Sequence, residues 1–339
     1  MMDNATNRIK VMYWNANGIF RKITELEYIA NTKNIDIILL QETHLNSTRH
    51  INIPNYTIYR QDTIRARGTA ILAKNNLRHE EVALPDLSTA EATAINIGRG
   101  NNKITVVSAY VPGSRFRKRD FTNLLGLGDR VLIAGNFNAQ HPTWHCSSAN
   151  PNGTMLFKMV HSGTSDCSLH HPTTYNNSVI DLAITKGIHL EDQPTTEHIL
   201  NSDHNPVFLT ISLSHHNHHD TNHTRLDSYN YTRADWRRFR ESINTNIKHT
   251  MPISNSTEIE QAVAHLTHTI NNAAAIAIPK HTITNTSSIQ LPETILRKIQ
   301  FKNRIKKLWN LTKNPAIKTH LNRLIKIIGT EVKAHKNNV

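Results

Sequence analysis

The chain has 339 residues, 38% of them hydrophobic and 6% aromatic, with 39 Lys and Arg against 26 Asp and Glu. That length accommodates one large α/β unit and a smaller one. No run of 18 apolar residues and no apolar targeting core in MMDNATNRIK leaves a membrane span and a secretory signal without support. The two cysteines, Cys146 and Cys167, cannot make a disulfide framework or a four-ligand zinc site by themselves, so a soluble, intracellular protein is expected.

The formal charge of +13 points to a polyanionic partner, with nucleic acid ahead of an anionic membrane because no amphipathic terminal anchor is present. The charge is uneven. From residue 291 onward, twelve bases face two glutamates, which places +10 there and leaves +3 on residues 1–290. The first part therefore needs local chemistry to contact phosphates.

In chain order, residues 8–213 read as short Ile-, Val- and Thr-rich strands separated by turns. These are IKVMYWN, IDIILLQE, YTIYRQD, GTAILAKN, EEVALP, ATAINIG, KITVVSAYVP, RVLIAGNFN, VIDLAIT and PVFLTISL, with helices predicted over 19–32 and 152–161. Many strands with few helices between them suggest packed sheets covered on the outside. Residues 214–230 are polar and His-rich; a solvated linker is the reading, with metal binding as the less favoured use of such a tract. Residues 231–339 take up helical periodicity. Thr232 with Asp235 resembles a helix start before Trp236, Phe239, Ile243 and Ile247, and Thr257 with Glu260 forms a capping box before Val263, Leu266 and Ile270. Two further amphipathic helices follow Pro292 and Pro315, and their bases, Lys298, Lys302, Arg304, Lys306 and Lys307 foremost, are predicted phosphate contacts.

Polar residues recur inside or just after the apolar runs: Asn15, Glu42, Tyr110, Asn136 and Asn138, Asp181, then Asp203 with His204. A rigid sheet holds such groups in place. Glu42, Asn15 and Asp203 offer the oxygen donors that a hard divalent cation takes. His204, Tyr110 and Asn138 are suitable donors to a phosphodiester, and Asp181 is a candidate orienter of His204. Together they describe a phosphate-ester hydrolase.

WNANG, LQETH, SAYVPG, GNFNAQH, IDLAIT and SDHNP, in that order, resemble the endonuclease/exonuclease/phosphatase superfamily. More closely, residues 8–213 resemble the apurinic-type endonuclease domain of jockey-like non-LTR retrotransposon ORF2 proteins. The later helices, with YTRADWRRFRESIN and KTHLNRLIKIIGTEVKAH, look like the linker those proteins place before a reverse transcriptase. The resemblance implies an α/β, four-layered αββα sandwich of two sheets flanked by helices over residues 1–213, then the linker 214–230 and a small basic all-helical region over 231–339. It implies Mg²⁺ as cofactor, with Mn²⁺ as a substitute, Glu42 as principal metal ligand, and Asn15 and Asp203 beside the metal. Tyr110 matches a phosphate contact, Asn138 the amide that positions the nucleophile, and Asp181 with His204 the pair at the scissile phosphate. The implied activity is single-strand nicking of a DNA target for target-primed reverse transcription, in the nucleus, with element RNA a partner through the basic helices; oligomeric state is left open.

Two departures bear on activity. The family has GDFN or GDLN where this chain has GNFN, and an amide at Asn136 cannot take a proton from water. The segment YNNSVI before Asp181 is shorter than the family's loop, and a shifted Asp181 would misplace His204. A truncated or decayed element copy is expected, either an impaired endonuclease or, as the alternative, a catalytically inactive nucleic-acid-binding remnant. A small-molecule phosphatase on the same fold is disfavoured by the basic tail.

Overall fold

The computed structural model describes residues 8–63, 67–113, 116–161, 167–172, 179–213, 234–247, 255–279 and 291–337. The linker 214–230, Thr232 and most of the YNNSVI segment lie outside them. The chain forms two compact units, one of Met1–Asp220 with Asn285–Val339 and one of Thr221–Thr284.

In the first unit the strands are β1 (Arg8–Asn15), β2 (Ile37–Gln41), β3 (Tyr56–Gln61), β4 (Thr69–Lys74), β5 (His79–Glu81), β6 (Glu91–Ile97), β7 (Ile104–Tyr110), β8 (Val131–Asn136), β9 (Cys167–His170), β10 (Asp181–Lys186), β11 (Thr195–Thr196) and β12 (Val207–Ser212). Helix α1 (Ile23–Thr32) connects β1 to β2, α2 (Lys118–Leu125) connects β7 to β8, and α3 (Pro151–His161) follows β8. The predicted strands are all present, although EEVALP keeps only its first two residues in a strand, and β9 and β11 were not foreseen. Helix α1 starts later than the predicted 19–32 because residues 16–22 form the turn that leaves β1.

The strands make two six-stranded sheets, ordered β11-β12-β1-β2-β4-β3 and β5-β6-β7-β8-β10-β9. Each contains one parallel pair, β1 with β2 and β7 with β8, and otherwise antiparallel neighbours. A parallel pair requires a crossover, and α1 and α2 supply it.

Alternation along the strands divides the buried side chains into three cores. Val11, Tyr13, Leu39 and Ile71 of one sheet meet Ile95, Val106, Leu132 and Ala183 of the other between the layers. Met12, Trp14, Ile38 and Leu40 face α1 through Leu26 and Ile29. Val107, Ile133 and Leu182 face α2 and α3 through Phe121, Leu124 and Leu156. The result is the αββα sandwich expected from the sequence. Among the described residues, no helix is long and apolar enough to cross a membrane.

Two more helices belong to this unit, α6 (Glu293–Thr312) and α7 (Pro315–Asn337), and they share a core of Leu291, Ile295, Ile299 and Ile328 against which Tyr28 of α1 packs. The second unit holds α4 (Trp236–Asn246) and α5 (Ser256–Ala277), which pack on each other. The helical region read over 231–339 is thus divided between the units. Asp235 caps α4 by accepting from the Arg238 amide. Helix α5 is capped by Asn255, which accepts from the Glu258 amide, two residues before the predicted Thr257 box. Its apolar stripe of Ile259, Val263, Leu266 and Ile270 stays roughly half exposed, while Thr269, Ala273 and Ala277 are buried.

Candidate active site

Strand direction brings the candidate residues to one end of the sandwich. In the first sheet Asn15 pairs in register with Gln41, so Glu42 leaves β2 beside the end of β1. In the second, Tyr110 and Asn136 are register partners at the ends of β7 and β8, and the antiparallel β10 begins opposite Asn136 with Asp181. Strand β12 runs antiparallel to β1, so the loop before it delivers Asp203 and His204 to the same end. Between the sheets, Gln41 Nε2 donates to Ser108 Oγ at 3.0 Å, and Ser108 Oγ donates to the Leu40 carbonyl at 2.9 Å. These buried bonds fix the register of the layers beneath the site.

Asn15 Nδ2 donates to Glu42 Oε1 at 2.9 Å, and Asn15 Oδ1 accepts from the Asn17 amide at 3.1 Å. Asn17 Nδ2 then reaches Asp203 Oδ1 at 3.4 Å. Burial first, and then the neighbouring Glu42 carboxylate, push the Tyr110 pKa above the usual tyrosine value. Glu42 has φ 48°, a left-handed backbone that costs a non-glycine residue about 1–3 kcal/mol. Bonds from Gly18 N to the Glu42 carbonyl and from Thr43 N to the Gly68 carbonyl hold it there. Nearby, the Lys22 ammonium donates to the carbonyls of Ala16 and Asn17. Burial lowers its pKa to about 8 against the opposing pull of Asp203, Glu25 and Glu42.

His204 Nδ1 lies 2.7 Å from Asp181 Oδ2. Burial lowers the His204 pKa, but the charge and hydrogen bond of Asp181, then Asp203 and Glu42, outweigh it and carry the value to about 9. The loop around it is held by Trp14 Nε1, which donates to the His204 carbonyl at 3.2 Å, and by Ser202 Oγ, which accepts from the His204 amide at 3.2 Å. Asn136 is buried, with Nδ2 3.5 Å from His204 Nε2, and its Oδ1 accepts from the Asn138 amide at 2.9 Å. Asn138 Nδ2 in turn donates to the Val111 carbonyl at 2.9 Å. All eight strand-end candidates, Asn15, Glu42, Tyr110, Asn136, Asn138, Asp181, Asp203 and His204, therefore share one site.

Several supporting residues escaped the sequence reading. Asn152 Nδ2 donates to the carbonyls of Gly113 and Phe137 at 3.0 Å, and Asn150 Nδ2 donates to the Asn138 carbonyl at 2.8 Å, so the GNFN loop rests on the start of α3. Gly153 permits that approach, since a Cβ there would stand 1.8 Å from the Gln140 carbonyl oxygen. Gly135 has φ 154°, and its Cβ would meet the Ala109 oxygen at 1.9 Å. The glycine in GNFN was the one legible signal; the asparagines were hidden among many others. His141, Trp144 and His145 follow this loop. Trp144 is buried with its indole N–H on the Ala139 carbonyl, and His141 stacks on Phe157 at 4.3 Å between ring centroids.

Glu42, Asn15 and Asp203 present two carboxylates and an amide within one bonded chain, a donor set that fits a Mg²⁺ keeping several waters. Among the described residues no three His, Cys, Asp or Glu side chains cluster so as to hold a metal ion, so amide oxygen and water would have to complete the shell.

The five bases assigned to phosphate contacts on α6 do not share one environment. Arg304 and Lys307 are exposed, and Lys298 is partly exposed and paired with Glu331. Lys302 is fully buried in an ion pair with Glu25, and Lys306 is 3% exposed with its ammonium on the carbonyls of Ile199 and Leu200. Those two assignments are corrected: charged groups already taken up by protein acceptors cannot reach a nucleic acid.

The two-sheet αββα sandwich thus carries its polar site at the strand ends. Residues 104–208 match the family model described as endonuclease-reverse transcriptase. Over 80% of its length the chain is 28% identical to the probable RNA-directed DNA polymerase from transposon BS of Drosophila melanogaster, covering 31% of that protein. Over 93% it is 26% identical to the RNA-directed DNA polymerase from mobile element jockey of Drosophila melanogaster, covering 36%. Among solved structures it is similar to the endonuclease domain of TRAS1, a telomere-specific non-LTR retrotransposon, at 17% identity and TM-score 0.46, with 61% of this chain and 99% of that one covered. The AP endonuclease LMAP from Leishmania major aligns at 13% identity and TM-score 0.46, over 62% of this chain and 89% of that one. The chain is thus similar to jockey-like retrotransposon proteins, as its motifs indicated, and spans about a third of the length of the curated relatives it matches.

Proposed function

We propose that the protein is a retrotransposon-derived, divalent-metal-dependent DNA endonuclease, impaired by Asn136, with residues 1–213 as its catalytic part. The observation that supports this best is the His204–Asp181 pair at 2.7 Å, standing beside Asn136 at the same sandwich end as the bonded Glu42 and Asn15, with Tyr110 beside Glu42. Glu42, with Asn15 and Asp203, would hold Mg²⁺. When bound, the metal polarises a phosphoryl oxygen and acidifies water.

The remaining work falls to the chain. His204, charged below about pH 9, offers a donor to a nonbridging phosphate oxygen, and Asp181 fixes the ring. The Tyr110 hydroxyl is a second phosphate contact, and Asn138 orients the nucleophile. Asn136 spends its oxygen on the Asn138 amide and turns its NH₂ toward His204, so it positions the loop without accepting a proton. The same residue favours the second reading, a nucleic-acid-binding remnant in which the exposed Arg304 and Lys307 contact DNA or element RNA phosphates.

The test is nicking of supercoiled plasmid with and without Mg²⁺, by the parent and by Asn136→Asp. Metal-dependent nicking that rises on the substitution supports the impaired enzyme. Silence from both, with tight salt-sensitive DNA binding, sinks it in favour of the remnant.

A further inference from the structure

We infer that α6 braces the loop that carries Asp203 and His204, with Lys306 as a positioning residue for the active site. This deepens the reading above and rests on those two residues belonging to the site. Residues 197–206 join β11 to β12 without regular structure, so their buried carbonyls need donors from elsewhere. Lys306 supplies two, to the Ile199 carbonyl at 3.1 Å and the Leu200 carbonyl at 3.0 Å. Leu200 is fully buried in a left-handed conformation, φ 60°, three residues before Asp203. One turn further along α6, Asn310 Nδ2 lies 2.9 Å from His198 Nδ1, which Asn205 Nδ2 approaches at 3.3 Å from the other end of the loop. One turn earlier, Lys302 pairs with Glu25 of α1.

The spacing of four places residues 302, 306 and 310 on one line of the helix, and none is more than 9% exposed. Apolar packing of α6 requires no ammonium there. A buried lysine is costly unless its protons are satisfied, and at Lys306 the acceptors are main-chain carbonyls of the active-site loop. A helix outside the sandwich thereby holds the backbone from which Asp203 and His204 project.

Hydrogen exchange of the full chain, followed by mass spectrometry, tests this with Lys306→Met and Asn310→Ala, and with Gln300→Met on the exposed side of α6 for comparison. The expected result is exchange across residues 197–206 faster by about tenfold in Lys306→Met, less in Asn310→Ala, and unaltered in β1, β7 and β8. In an Asn136→Asp background, Lys306→Met should lower kcat for nicking by about tenfold and leave KM within about twofold. Gln300→Met should alter none of these. If Lys306→Met fails to fold, Asn310→Ala decides alone. Unchanged exchange in 197–206, or an increase spread evenly over the whole unit, overturns the brace. The exchange measurement needs no nicking: a loosened loop in an inactive protein removes the endonuclease reading and keeps the brace, while an active protein with an unaltered loop does the reverse.

Discussion

The strand-end residues and the inner face of α6 were both singled out by residue type, yet the structure gathers the first set at one end of the sandwich and takes part of the second into the protein interior. Asn15, Glu42, Tyr110, Asn136 and Asp181 sit at or beside strand ends, and the direction of a strand in a sheet fixes where its end points. Lys302 and Lys306 sit on a helix whose every face carries bases, and the sequence offers no sign of which face meets the sandwich. Charge counting reports a helix's total; only packing divides it into donors for phosphate and donors for protein.

The largest expected effect sharpens the first half of that contrast. Asn136→Asp places a basic oxygen where an amide stands, and if the proposed endonuclease lacks only that base, plasmid nicking should rise on the order of 10²- to 10⁴-fold. A rate equal to the parent's would mean that the defect lies elsewhere in the site.

Next comes α6. Lys302→Met leaves Glu25 buried without its counter-ion and should cost about 3–5 kcal/mol in urea unfolding. Arg304→Met, on the exposed face, should leave stability unaltered and flatten the salt dependence of DNA binding by about one ion. If the two substitutions behaved alike, the division of the helix into an inner and an outer face would be wrong.

Asp181→Asn in the Asn136→Asp background should reduce nicking by about 10²-fold through a misoriented His204. It should also let the His204 pKa fall from about 9 toward the ordinary 6.5, as read by NMR titration. The smallest effect is on stability against pH. The folded pKa of His204 is raised, so the stability difference between the parent and His204→Gln should be fully present below about pH 6.5 and fade as pH rises through about 9. A difference that grew with pH would reverse the assigned sign.

Much of the fold was legible because strands announce themselves by β-branched runs and turns: all ten predicted segments correspond to strands, and six short motifs marked the site. β11 has two residues and β9 is only partly buried, so neither gives a strong pattern. Asn150 and Asn152 were unreadable for another reason. Their role is to donate to carbonyls of the GNFN loop, a job any nearby asparagine could hold, and proximity across twelve to fifteen residues is not written in residue type.

The sequence by itself determined the strands, the order of the chemistry-bearing residues and the presence at position 136 of an amide with no basic oxygen, because local periodicity and side-chain basicity are properties of the chain. Tertiary structure alone decided that Glu42 meets Asn15 and Tyr110, that His204 meets Asp181 and Asn136, and that Lys306 serves the protein instead of a phosphate. Those outcomes depend on which groups are desolvated together, and desolvation is a property of the packed molecule.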